Sequence, residues 1–306
     1  SFWVLKMIPM IVYLITGYVI FLLSLQIYKK KDFAIIAGAS FYLMPAVSFS
    51  SFLISTDVVL ILFWSLSLLF LLKIRSNPVL INFLLLGIFL GLSFLAKYAA
   101  VYFILSLIII MFLDTKTKDV FFKNIFNFWV FLLSFLLILL PNIIWNVQNS
   151  WVTFSHTSDN AGLDRAGLHL FQGIEFILAQ LGMIGPVLVI GFLFKLKKVR
   201  FKFEDKFLLS FSLPIFLIVF IESIVVRANA NWAAVGFVSM LIFLLNYVFK
   251  YSKKIIILNN FLNFSFGFIL FILIALSSNV KVFNRVNGLE EFSNILYNEY
   301  LKNNEY

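Results

Sequence analysis

The 306-residue chain has no cysteine, only two histidines and little charge. Each shortage closes a class of function. Without cysteine there is no disulfide framework, thiolate nucleophile or sulfur-ligated metal. His156 and His169 are too few for a histidine-based metal site unless carboxylates complete it. Nothing else in the sequence demands a metal or an organic cofactor. Charged residues make up 12% of the chain, about half the roughly 25% of a soluble domain, too few to coat a water-facing surface. No repeat of fixed period and no Pro- or Ser-rich linker divides the sequence.

What fills the chain is apolar. Hydrophobic residues are 62% of the total, and apolar runs recur near residues 7–27, 33–50, 53–72, 79–96, 98–113, 124–144, 171–194, 207–226, 232–249 and 255–277. A span needs about 20 such residues to cross roughly 30 Å of hydrocarbon. The expectation is an all-α integral membrane protein, one polytopic transmembrane domain over 1–306 with about ten helices. The run 79–113 is divided at Lys97-Tyr98, because a lysine at mid-bilayer costs roughly 2.5–3.5 kcal/mol even on the lenient insertion scale. The forty phenylalanines, with many Ile, Asn and Lys, look like the bias of an AT-rich genome, so aromatic stripes carry no functional weight.

The net charge of +10 would suit nucleic acid, but its distribution excludes that partner. Lysines gather in short clusters between apolar runs, as at Lys29–Lys31 and Lys195–Lys206, the pattern of anchors facing membrane lipids. Threading the ten spans alternately leaves Lys6, Lys97, Arg165, Arg227, Lys281, Arg285 and Lys302 on one side and the other 17 of the 24 basic residues opposite. The basic side is predicted to be cytoplasmic. The connection 145–170 and the tail 278–306 then become extracytoplasmic, in a multi-pass protein of a bacterial inner membrane. The chain begins Ser1-Phe2-Trp3-Val4, with neither an initiator methionine nor a cleavable signal. It reads as a piece whose own N-terminus, with at least one further span, precedes Ser1.

The chemistry-capable residues gather at the predicted outer side. Asp57 follows Ser55-Thr56; Lys97 and Tyr98 form a turn; the 145–170 loop carries His156, Asp159, Asp164 and Arg165; Glu222 and Arg227 flank a span end, followed by Asn229, Asn231 and Trp232. Charge kept near the interface suggests a polar cavity there. Plainer readings stand beside this one. Asp57 after Thr56 is a good N-cap for a helix beginning at Val58. Lys97 can snorkel to headgroups. Trp145, Trp151 and Trp232 suit an interfacial aromatic belt.

Four segments, in order, carry a resemblance: STDVVLILFWSLSLLFLL (55–72), GIFLGLSFLAKYAAVYF (87–103), LLPNIIWNVQNSWVTFSH (139–156) and RANANWAAVGF (227–237). Together they resemble the bacterial branch of the dolichyl-phosphate-mannose protein mannosyltransferase-like family, polytopic glycosyltransferases of the GT-C fold. The family's acidic pair in its first extracytoplasmic loop, thought to supply the catalytic base, and the Pro-Pro segment after it are not in this sequence. Ala233 and Ala234 stand where a proline usually follows the Ala-Asn-Trp segment.

The resemblance implies a GT-C-like helical bundle and an inverting transfer of a sugar from a polyprenyl-phosphate carrier to a lipid, glycan or protein acceptor at the extracytoplasmic face. By this reading Asp57 is a secondary carboxylate, with the principal base outside the sequence. Lys97 and Arg227 are the phosphate contacts, and Tyr98, Asn146, Gln148, His156 and Asn231 line the substrate site. A transporter or flippase of lipid-linked sugars would place ionisable residues or broken helices near the midplane, often in paired repeats. A glycan polymerase or ligase of another fold would share the carrier and the hydropathy.

Overall fold

The structure is a computed structural model that describes residues 2–161, 166–194, 196, 201–276 and 284–303. Among the described residues the regular structure is helical throughout. In chain order the helices are α1 (Phe2–Tyr28), α2 (Lys31–Tyr42), α3 (Pro45–Ser50), α4 (Thr56–Ser76), α5 (Leu80–Ala96), α6 (Val101–Leu113), α7 (Thr115–Lys123) and α8 (Ile125–Gln148). There follow α9 (Val152–Ala161), α10 (Leu170–Ile184), α11 (Pro186–Leu193), α12 (Phe203–Ser210), α13 (Leu213–Val225), α14 (Gly236–Phe249), α15 (Lys253–Leu276) and α16 (Asn284–Asn303).

The ten apolar runs are largely helical, but among the described residues fewer than ten helices qualify as membrane spans by length and apolarity. Among the described residues five helical stretches are long and apolar enough to cross: Met7–Tyr28, Thr56–Ser76, Ile125–Gln148, Phe203–Val225 and Lys253–Leu273. Counting two sharply bent helix pairs as single spans raises this to seven, and Leu80–Ala96 and Gly236–Phe249 are shorter apolar helices. The sequence shows why the runs divide. Run 33–50 breaks ahead of Pro45, whose ring disfavours a helical residue before it. Run 171–194 turns by 100° between α10 and α11 at Gly185-Pro186. Gly185 has φ +108° there, a conformation that suits glycine, and Pro186 opens α11 as a first-turn proline.

A helix break in an apolar setting leaves backbone groups without partners. At this one the buried Asn259 of α15 accepts from the Leu188 amide at 2.9 Å. Run 79–113 parts where the sequence suggested. α5 ends at Ala96, Lys97 is extended at φ −165°, and a 3-10 turn over Tyr98–Ala100 leads into α6.

α4 is the most enclosed of the long spans, with Trp64 fully buried against Phe103 of α6 and Phe211 beyond α12. α5 presses against α8 through Gly87 and Gly91. A Cβ on Gly87 would overlap Ser134 Oγ and the Phe131 carbonyl oxygen, and one on Gly91 would lie 2.8 Å from Ile138 Cβ. The four-residue spacing puts both glycines on one face, so the backbones can approach closely.

α4 carries opposite charges at its two ends. Asp57 is in its first turn, and Lys73 and Arg75 are in its last, each sign favoured by the helix dipole. At the far end Arg75 donates to both oxygens of Asp114, at 2.8 and 3.1 Å. The other end holds the candidate site.

Candidate active site

Ser55 is extended and caps α4, its Oγ accepting from the Asp57 amide at 3.2 Å. The alternative that made Asp57 the cap is therefore corrected. The helix begins one residue earlier than Asp57, and its carboxylate is released for other partners. It is buried, at 6% exposure, so those partners matter. A buried carboxylate without them would be strongly disfavoured.

Two arrive from distant elements. Lys97, freed from helical geometry by the break after α5, places Nζ 2.7 Å from Asp57 Oδ1. Asn231 stands in a 3-10 turn over Ala230–Ala233 and donates from Nδ2 to Asp57 Oδ2 at 2.7 Å. That turn is held by Gln180 of α10, whose Nε2 donates to the Ala230 carbonyl at 3.0 Å. Both carboxylate oxygens are thus occupied by donors from elements 40 and 174 residues away in sequence.

A cavity of about 50 Å³ opens beside the carboxylate, with Tyr13, Ser50, Asp57, Met183 and Asn231 among its walls. Tyr13 Oη donates to Ser50 Oγ at 2.9 Å across it. A space of this size takes a few waters. The Lys97 side chain keeps 28% of its surface exposed. With one proton on Asp57, it has two left to offer outward.

The chemistry follows from this occupancy. Asp57 is not presented as a free proton acceptor; it fixes a lysine and an amide. Lys97 is a positive charge held at a defined point and open on one side, a group suited to an anion.

Tyr98 and Asn146 lie in a neighbouring network. Tyr98 Oη donates to Asn142 Oδ1 at 3.1 Å and lies 3.0 Å from Thr153 Oγ1. Thr153 Oγ1 donates to Asn146 Oδ1, and Asn146 Nδ2 donates to the Asn142 carbonyl at 2.9 Å. Phe154 stacks on Tyr98 at 5.2 Å between centroids. Asn146 is wholly buried, and its carbonyl accepts from Trp151, so this network fixes α9 against the end of α8. Gln148, His156 and Arg227 are exposed. Asp164 and Arg165 lie outside the described residues. Among the described residues no three His, Asp or Glu side chains gather as metal ligands would.

Sequence reasoning named Asp57, Lys97 and Asn231 without seeing that they touch. It missed Tyr13, Ser50, Gln180, Asn142 and Thr153. Gln180 carried a signal, being an amide in the apolar second half of its helix. So did Asn142, four residues before Asn146 on one helical face. Tyr13 and Ser50 carried none.

Comparison with known proteins bears out the resemblance. Residues 1–145 match the dolichyl-phosphate-mannose-protein mannosyltransferase family, a stretch that holds Asp57, Lys97 and Tyr98 but not Asn231. Over 209 residues the chain is 30% identical to the lipid A galacturonosyltransferase RgtD of Rhizobium johnstonii, covering 66% of this chain and 42% of that protein. The chain thus spans less than half the length of the curated relative it matches. No solved structure matches it.

Proposed function

We propose that this chain is the donor-binding part of a membrane glycosyltransferase. The enzyme moves a sugar from a polyprenyl-phosphate carrier to an acceptor at the extracytoplasmic face, with inversion at the anomeric carbon. The observation that carries this reading is the Asp57–Lys97–Asn231 constellation. Three polar residues from three helix ends meet beside a small cavity. Similarity to a mannosyltransferase family and to a galacturonosyltransferase supports the reaction class.

In the proposed step a carboxylate base, not assigned to any residue of this chain, takes the proton of the acceptor hydroxyl. The oxygen attacks the anomeric carbon, and the bond to the carrier's phosphate oxygen breaks from the opposite face. The electron pair leaves with the lipid phosphate. Lys97, held by Asp57, meets that growing negative charge, and charge complementarity prepared in advance is what lowers such a barrier. Asp57 acts through Lys97 and Asn231 and is a positioning residue.

One feature favours a second reading, a flippase of lipid-linked sugars: the broken helix at Gly185-Pro186, a device of transporters. Its freed Leu188 amide, however, is capped by Asn259 of the same chain, so that donor is already engaged. The enzyme reading explains more.

The test is sugar transfer from a purified polyprenyl-phosphate sugar by the full-length protein in nanodiscs, with donor concentration varied. Lys97→Gln is expected to raise the donor KM or lower kcat by tenfold or more, and Lys97→Arg to restore it in part, because a guanidinium is not a point charge. Wild-type kinetics in both variants would remove Lys97 from the donor site. Energised movement of the intact lipid-linked sugar without transfer would establish the flippase.

A further inference from the structure

The end of the bundle opposite the candidate site carries a short helix that the proposed reaction does not use. α7, with the sequence Thr-Lys-Thr-Lys-Asp-Val-Phe-Phe-Lys, turns by 108° from α6. Nine residues make about 14 Å of helix, which cannot cross a bilayer. Turned nearly at right angles to its neighbour, α7 would lie along the surface of a membrane that α6 enters.

The corner is built, not slack. Asp114 caps α7, accepting from the Thr117 amide at 2.8 Å and from Thr117 Oγ1 at 2.6 Å. The same carboxylate takes two bonds from Arg75, and that guanidinium lies 3.4 Å over the Phe203 ring. Lys206 Nζ donates to the Leu113 carbonyl, the last residue of α6, at 3.2 Å. α4 and α12 therefore both hold the turn.

The faces of α7 differ. Thr117 and Phe121 are buried, Phe121 packing edge-on against Phe83 of α5. Lys116, Lys118 and Phe122 are exposed, while Lys123 is paired with Asp119 at 2.9 Å. Beside them Phe112, Phe122 and Phe126 are 83%, 68% and 69% exposed. One open phenylalanine and two open lysines on a helix joining one apolar segment to the next, with Phe112 at the end of α6 and Phe126 at the start of α8 open on either side, is the pattern of a helix seated in the headgroup region. Water alone would not favour the rings, and hydrocarbon alone would not favour the lysines.

We infer that α7 is an interfacial helix that binds acidic phospholipid headgroups through Lys116, Lys118 and Lys206, with Phe112, Phe122 and Phe126 set among the acyl chains beneath. The acidic lipid is named because the open side chains at the corner are cations flanking apolar rings. Such an arrangement suits a phosphate attached to a hydrocarbon tail better than a free anion. This inference does not depend on the glycosyltransferase reading.

The test is native mass spectrometry of the full-length protein in non-ionic detergent, titrated with phosphatidylglycerol or phosphatidylcholine. The wild type is expected to retain phosphatidylglycerol preferentially. Lys118→Gln, at an exposed position that leaves packing untouched, should weaken that binding about fivefold, the effect of about one surface lysine near an acidic membrane. The triple variant Lys116→Gln/Lys118→Gln/Lys206→Gln should weaken it tenfold or more. Phe122→Ser should also weaken it. The pair Lys253→Gln/Lys254→Gln, at the same end but on α15, should change it less than twofold. Equal lipid retention in Lys118→Gln and wild type would overturn the inference. So would an equal loss in the α15 pair, which would make the binding unspecific. Displacement of the lipid by inorganic phosphate at comparable concentration would show a free-anion site and overturn it as well.

Discussion

Asp57 has its carboxylate oxygens taken by Lys97 and Asn231, and its former rival role as helix cap belongs to Ser55. Substitution can therefore separate charge from capping. Asp57→Asn keeps the volume and one acceptor oxygen but removes the counter-charge of Lys97. Removing one partner of a buried ion pair typically costs 3–5 kcal/mol, and the partial exposure of Lys97 reduces that toward the lower end. The full-length Asp57→Asn protein is expected to insert and fold but to transfer sugar at least tenfold more slowly. A tenfold loss corresponds to about 1.4 kcal/mol in barrier height. Asn231→Ala should act in the same direction and more weakly, since the ion pair survives it. Turnover measured in nanodiscs decides. Unchanged turnover in Asp57→Asn would leave the ion pair a structural tie only.

At the scale of elements, glycine sets how closely helices meet. Gly87 and Gly91 let α5 reach the backbone of α8, while Gly182 of α10 has open space where a Cβ would go. Gly91→Ala and Gly87→Ala must push the helices apart, an overpacking cost of about 1–3 kcal/mol. Gly182→Ala should be neutral or slightly stabilising, because alanine favours helix by up to about 1 kcal/mol over glycine. Thermal unfolding in detergent is the measurement. The two α5 variants should melt below the wild type and the α10 variant at or above it. Lys97 directly follows the last residue of α5, so a displaced α5 carries the lysine with it. Gly91→Ala is therefore expected to lower transfer activity at temperatures where the protein remains folded. If all three glycine variants melt together, the α5–α8 contact is not as close as described.

For the whole molecule, the two ends of α4 define two faces. One has Asp57, Lys97 and Asn231, and the other has Arg75, Asp114, Lys206 and the exposed lysines. The absence of native cysteine makes the orientation directly measurable. Single cysteines at Asn149 and Asn229 should react with an impermeant thiol reagent in intact cells, and one at Lys254 only after permeabilisation. The reverse pattern would move the candidate site to the cytoplasmic face, and the acidic-lipid helix with it to the outer leaflet.

The sequence alone determined the helical, membrane-embedded character, because a chain with so little charge has no other way to bury its apolar runs and satisfy its backbone. It also marked the break at Lys97-Tyr98 and named Asp57, Lys97 and Asn231, since ionisable and amide residues are costly among apolar neighbours and stand out against them. Hydropathy could not count the spans. It sums apolar residues without registering how Pro45 and Gly185-Pro186 redirect the chain, so among the described residues only five helical stretches, or seven with each bent pair taken as one, are long and apolar enough to cross. Nor could it tell Asn231, which reaches Asp57, from Asn146, which ties α9 to α8. Both are asparagines near a helix end, and what separates them is which distant element each one meets. That is decided by close packing: Gly87 and Gly91 seat α5 against α8, and Gln180 holds the turn that carries Asn231 to a carboxylate 174 residues earlier in the chain.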